Sequence, residues 1–179
     1  MNKLNTIILI LSILILVLII LTILIKIYYD KIKDLIDRLE DTEKTCHDKI
    51  KEKYNIIIRA INLIENKLKI ESKTFDNIRK LKLDNSNSFK NEIELSKCFE
   101  EINNINEDNP KSKNLRTFKE IISDYDENEL YIISLRTYYN KYIMIYNNTL
   151  KKFPYNIISK FKKYKLKLLF EGKEIEKED

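Results

Sequence analysis

The sequence predicts an all-α protein in which an N-terminal transmembrane helix continues into an antiparallel bundle of three to four long helices. Three observations predict it. An uncharged, apolar run occupies residues 7–25. Beyond that run, apolar residues recur at steps of three, four and seven, and no strand-like alternation of any length appears. Helix breakers are scarce, with one Gly (Gly172) and two Pro (Pro110, Pro154) in 179 residues, so helices should be long and tight turns few. The expected division is a short N-terminus at 1–6, a transmembrane helix at 7–25, a helical bundle at 26–171 and a charged tail at 172–179.

Only Ser12 and Thr22 interrupt the apolar character between Ile7 and Ile25. As a helix the run measures roughly 28 Å, close to the ~30 Å thickness of the bilayer hydrocarbon. A cleaved signal peptide would carry a shorter apolar stretch of about 7–15 residues and end in a small-residue cleavage site. Here Lys26-Ile27-Tyr28-Tyr29 follows, with no cysteine nearby for a lipid anchor. The reading is a single-pass, uncleaved anchor whose two tyrosines suit the interfacial belt. Lys26, Lys31, Lys33, Arg38 and Lys44 outnumber Lys3 and the terminal amine on the other flank, which leans the bundle toward the cytoplasm. A conventional signal anchor would place it outside.

Ile32, Leu35, Leu39, Cys46, Ile50, Ile57, Ile61, Ile64 and Leu68 form one amphipathic stripe, so the first helix should run on to about residue 70. Residues 73–106 are more weakly patterned, with a polar break from Asp84 to Ser88. The Ser88 hydroxyl is placed to cap a helix carrying Ile93, Leu95, Phe99, Ile102 and Ile105. Glu107 to Ser112, around Pro110, reads as a loop. A long helix follows from Leu115 through Phe118, Ile122, Tyr125, Ile132, Tyr139, Ile143, Tyr146 and Leu150 to Phe153. Pro154 ends it or forces a corner, because its ring pushes the preceding residue out of helical geometry. A shorter helix is expected from about Asn156 to Phe170. Four alternating passes would put the Phe153-Pro154 corner far from the membrane, unless the break near residue 85 changes the count.

Within the long helix, Tyr139, Tyr146 and Phe153 recur every seven residues, and Asn140 and Asn147 do so one position later. A seven-residue repeat keeps each set on one stripe, so the aromatics face one neighbour with the amides beside them. The segment from Arg136-Thr137-Tyr138-Tyr139-Asn140 to Phe153-Pro154 resembles the signature of the LemA family of bacterial membrane-anchored helical proteins, R-x-Y-Y-N-x-x-[VI]-x-x-Y-N-x-x-[IL]-x-x-F-P. Lys53-Tyr54-Asn55-Ile56-Ile57 stands where that family carries a basic-Tyr-Asp-aliphatic stretch followed by Pro-Asn-Leu. Ile58-Arg59-Ala60 replaces the Pro-Asn-Leu here, so the first helix should continue without a kink; the Gly-Tyr that commonly follows is absent too. Asn109-Pro110-Lys111 and Asn114 to Phe118 resemble the family's loop and the start of its long helix, and Tyr164 to Glu171 still tracks it. The resemblance implies a helical bundle and a bacterial cell membrane location. It implies no reaction and no catalytic residues.

Composition and spacing say what chemistry to expect. One glycine excludes the usual phosphate-cradling loops. The net charge of +5 comes from 33 basic and 28 acidic residues of interspersed sign, the pattern of solvated helix faces rather than of a nucleic-acid footprint. Cys46 and Cys98 read as buried thiols. A single histidine, His47, cannot build a Glu-x-x-His dimetal site, and as a neighbour of Cys46 it points about 100° away, so a solvated His beside a core Cys is expected. Asp124, Asp126 and Asn128 mimic the start of a calcium loop, but Glu129 stands where Gly is needed and Leu135 where Glu is needed. No enzyme activity and no cofactor are expected.

Two candidate sets remain. Arg136, Tyr138, Tyr139, Asn140, Tyr146, Asn147, Phe153 and Pro154 are either structural, with Arg136 pairing an acid of the first helix and the amides fixing helix register, or a groove for a partner. Lys160, Lys162, Lys163, Lys165 and Lys167, alternating with apolar residues, are either a solvated helix face or a contact for anionic lipid. The functional expectation is a membrane-anchored scaffold or interaction module with a protein partner or self-association, without nucleic acid. The alternative is an accessory subunit or enzyme with a polar site between helices, or an anionic-lipid-binding module through the basic C-terminal helix.

Overall fold

The computed structural model describes residues 3–83, 88–113 and 115–170. Asn114, the charged tail, the polar break at residues 84–87 and the Ser88 side chain with its expected cap lie outside the described residues. Among the described residues the chain is helical without strands, in the order α1 (Lys3–Leu68), α2 (Lys73–Arg79), α3 (Ser88–Asp108), α4 (Pro110–Lys113), α5 (Arg116–Lys151) and α6 (Tyr155–Lys162).

The N-terminal part of α1 is long and apolar enough to cross a membrane, with a mean hydropathy of 3.6 and none of its apolar window buried. The two hydroxyls between Ile7 and Ile25 are satisfied within the helix: Ser12 donates to the Leu9 carbonyl at 2.8 Å and Thr22 to that of Ile19 at 2.7 Å. A bilayer offers backbone and hydroxyl groups no other partner. Helix α1 passes through Ile58-Arg59-Ala60 without interruption, as expected from the missing proline. It stops at Lys69, whose φ of 59° is left-handed.

The chain forms two compact units, one containing the described residues up to Glu40 with Lys141–Leu168, the other containing Asp41–Asn140 and the residues from Leu169. In the second unit three long helices pack around a core that includes Ile57, Ile61, Phe75, Cys98, Ile102 and Phe118. Each such side chain contributes about 1.5–3 kcal/mol on burial. Helix α2 is capped by Ser72, which accepts from the Thr74 amide at 3.1 Å. It folds back onto α1, where Arg79 grips Glu65 at 2.5 and 2.8 Å. Helix α3 then runs parallel to this part of α1, and α5 antiparallel to both: Arg59 meets Asp124 at 2.6 Å, while Asn128 donates to the Lys49 carbonyl at 3.0 Å. The region read as a loop around Pro110 is instead the end of α3 and the single turn α4. Pro110 lacks an amide hydrogen and so suits the first position of a helix, and the Ser112 hydroxyl donates back to Asn109 at 2.8 Å.

In the first unit, Ile32, Leu35 and Leu39 of α1 and Ile143, Tyr146 and Leu150 of α5 are buried. The Tyr155 ring meets Tyr28 edge-on at 4.9 Å, and Lys162 lies over Tyr29 at 5.4 Å. The Phe153-Pro154 corner, a cis peptide, therefore sits beside the residues that follow the apolar run. A four-pass count would have put it at the opposite end. That count fails because α2 has seven residues, so no long helix returns between α1 and α3. Helix α6 also ends earlier than expected. Lys163 turns left-handed at φ 55°, and the Lys163 and Tyr164 amides donate back to Lys160 and Ser159 at 3.3 and 3.0 Å. This paired closure terminates a helix, and residues 164–169 continue without helical structure.

Candidate functional site

The most concentrated polar chemistry in the described residues lies among α1, α3 and α5. Lys53 has no exposed side-chain surface, and its ammonium contacts Glu92 at 3.1 Å, Ser96 at 2.7 Å and Glu129 at 2.5 Å. The second oxygen of Glu92 pairs with Arg136 at 3.3 Å. The Tyr125 ring lies 5.1 Å from the same ammonium and stacks on Phe99. Two cations and two carboxylates form a neutral set, the condition under which buried charges are tolerated. Burial pulls the Lys53 ammonium down, but the Tyr125 hydroxyl and the Glu129 and Glu92 carboxylates outweigh it and hold it above the usual lysine range. Burial pushes Tyr125 up against the opposing pull of Lys53.

Arg136 thus pairs with an acid of α3, not of the first helix, and its guanidinium also faces the Phe170 ring at 5.5 Å. Lys53 enters the sequence reading only within the family-like stretch, Glu129 only as a departure from a calcium loop and Glu92 not at all, yet a signal is present. Lys53 is in phase with Cys46, Ile50 and Ile57; Glu92 with Leu95, Phe99 and Ile102; Glu129 and Arg136 with Tyr125, Ile132 and Tyr139. A charge inside an apolar stripe is a charge bound for the interior.

The signature residues divide by what they touch. Tyr139 and Tyr146 are buried, whereas Phe153, the third member of their heptad, is 78% exposed and Tyr138 is 40% exposed. The stripe facing one neighbour therefore ends before Phe153, because the helix stops at Lys151. The amides hold backbone rather than a neighbouring helix. Asn147 donates to the Lys167 carbonyl at 2.8 Å and accepts from the Lys167 amide at 3.0 Å. Tyr146 donates to the Lys165 carbonyl at 3.1 Å. In the second unit Asn140 accepts from the Phe170 amide at 2.8 Å. The C-terminal segment is thereby fastened by the signature's own side chains, and Lys165 and Lys167 belong to this fastened stretch, not to a helix face.

Other candidates resolve locally. Cys46 and Cys98 are buried free thiols, each pushed up to about 12 chiefly by burial. His47 is buried at 8% exposure rather than solvated. Asp124 and Asn128 sit within α5 and engage Arg59 and the Lys49 carbonyl, so the calcium-like spacing is a helix face. A cleft of about 320 Å³ lies between α1 and α5, lined by Lys49, Glu52, Arg59, Asp124 and Tyr131 among others. Four of its charges pair with one another, Lys49 with Glu52 and Arg59 with Asp124, both at 2.6 Å.

A sequence model of the LemA family matches residues 25–179. The chain belongs to the LemA family. The match begins where the apolar run ends and takes in both the Lys53 stretch and the Arg136–Pro154 signature. Two motifs of this LemA-family chain therefore meet at one carboxylate, Glu92. No curated protein and no solved structure gives a significant match to the chain.

Proposed function

We propose that this LemA-family protein is a non-catalytic scaffold or interaction module at the bacterial cell membrane. A single-pass anchor holds the bundle on the cytoplasmic side, and the bundle engages a protein partner or another copy of itself. The observation that carries this reading is the network of Lys53, Glu92, Glu129 and Arg136. The groups best suited to proton transfer or anion binding are engaged with one another and hold three helices in register. The exposed apolar residues of α5, with Leu130 at 66% and Ile133 at 46%, offer a face to a partner.

Two experiments test it. A reporter fused at the C-terminus that fluoresces only in the cytoplasm should be bright, and a dark fusion reverses the orientation. A photoreactive residue at Leu130 or Ile133, activated in intact membranes, should give a discrete cross-linked product at either a homodimer or a heterodimer mass. Absence of a product at both positions counts against the interaction role.

A further inference from the structure

We propose that the corner between α5 and α6, with the lysine-rich segment after it, is a second membrane contact that lies on anionic lipid headgroups beside the anchor. Position is the first ground. Tyr155 packs on Tyr28 at 4.9 Å and faces Lys31 at 5.6 Å, and Lys162 lies over Tyr29 at 5.4 Å. Tyr28 follows Ile25 by three residues, about 4–5 Å along a helix axis. The headgroup layer on each side of the hydrocarbon is ~5–8 Å deep. Helix α6 therefore sits at headgroup level, contiguous with the surface the anchor already occupies.

Shape and charge supply the other grounds. Phe153, Ile157 and Phe161, spaced by four residues, are 78%, 46% and 85% exposed. Large aromatics left this open beside a bilayer suit the shallow burial of an interfacial helix. Around them Lys151, Lys152, Lys160, Lys162, Lys163 and Lys165 are exposed, and no acidic residue occurs from Lys141 through Phe170. Among the described residues the acids of the same unit lie on α1 at Asp30, Asp34, Asp37 and Glu40, with Asp34 held by Arg38 at 2.9 Å. A basic surface at this depth meets lipid phosphate before it meets any other polyanion.

The chain contains no tryptophan, so F161W and F153W are single reporters at positions whose exposure leaves packing undisturbed. The full chain is reconstituted in nanodiscs of phosphatidylglycerol or of phosphatidylcholine, each with lipids brominated near the glycerol backbone. The expected result is blue-shifted emission and quenching of both reporters in the anionic discs, weaker in the zwitterionic ones. Combining F161W with K160Q, K162Q and K163Q should weaken the docked state by about fivefold per lysine. Equal quenching in the two lipids, or an unquenched reporter in both, overturns the proposal; a blue shift without quenching does so as well and points to a protein covering the row. A chain that fails to co-purify with the discs overturns the anchor and this contact together, whereas co-purification with an unquenched reporter removes the contact alone.

Discussion

Lys53 and Glu92 pair at 3.1 Å with 0% and 6% of their side chains exposed, and the same carboxylate also serves Arg136. Neutralising the shared carboxylate takes away the acid that Arg136 pairs with and leaves the fully enclosed Lys53 with Glu129 as its one remaining carboxylate. Glu92→Gln should lower stability by about 3–5 kcal/mol, the range for breaking a buried pair. Glu129 is 26% exposed, so water screens its loss and Glu129→Gln should cost no more than about 1.5–3 kcal/mol. Urea titrations in detergent micelles, followed by circular dichroism, measure both; equal losses would show that burial does not rank the two acids.

Asn147 imitates a strand edge, giving and receiving one hydrogen bond on Lys167. Asn147→Ala removes both bonds, a net contribution of roughly 1–3 kcal/mol. Hydrogen exchange of the Lys167 amide should speed up by about tenfold or more, while exchange in α3 stays unchanged. Unaltered protection at Lys167 would mean that another contact holds the segment.

The two thiols and Tyr139 set the alkaline limit. Each is pushed up to about 12, with burial the leading cause in every case, against roughly 8.5 for a free thiol and 10 for a free phenol. Raised acids favour folding fully below the unfolded value, and that contribution is lost as pH climbs toward the folded one. Between these limits the unfolded chain holds fewer protons, so stability falls by about 1.4 kcal/mol per pH unit per group. Raised Lys53 acts in the same direction, through loss of its charge. Melting temperature should be flat near neutrality and fall above pH ~9. Replacing both cysteines with alanine should flatten the onset, and Ellman's reagent should label wild-type protein only in denaturant.

The anchor can be tested by one charge. Leu16 lies near the middle of the apolar run and is 57% exposed. Leu16→Arg costs about 2.5–3.5 kcal/mol at a bilayer centre, and should shift the chain toward the carbonate-extractable fraction. Leu16→Ile should stay in the pellet.

Periodicity made the long helices legible. The stripes through Ile57 and Ile61, through Phe99 and Ile102, and through Tyr125 and Ile132 each mark a buried face because only one side of a helix can meet the core. The break near residue 85 was visible, but not that the return from α1 would be made by a seven-residue helix; a short helix leaves too few turns for its period to register. The end of α6 was missed for a related reason. Lysine is an ordinary helix former, so nothing in Lys163 announces a left-handed turn, and the partners that fasten residues 165–170 lie some twenty to thirty positions away in the chain. Of the candidate site, Arg136 was legible from its motif. Lys53, Glu92 and Glu129 look like surface charges until their phase is compared with that of the apolar residues around them.

Helices α1 and α6 both terminate at a left-handed lysine, Lys69 and Lys163. A side chain beyond glycine costs about 1 kcal/mol there. In a molecule so poor in glycine, left-handed joints fall to residues that carry a side chain, and the fold bears that cost at both. The joint at Lys163 lets the chain leave α6 and reach Asn147 and Asn140, whose bonds to Lys167 and Phe170 hold the segment that follows.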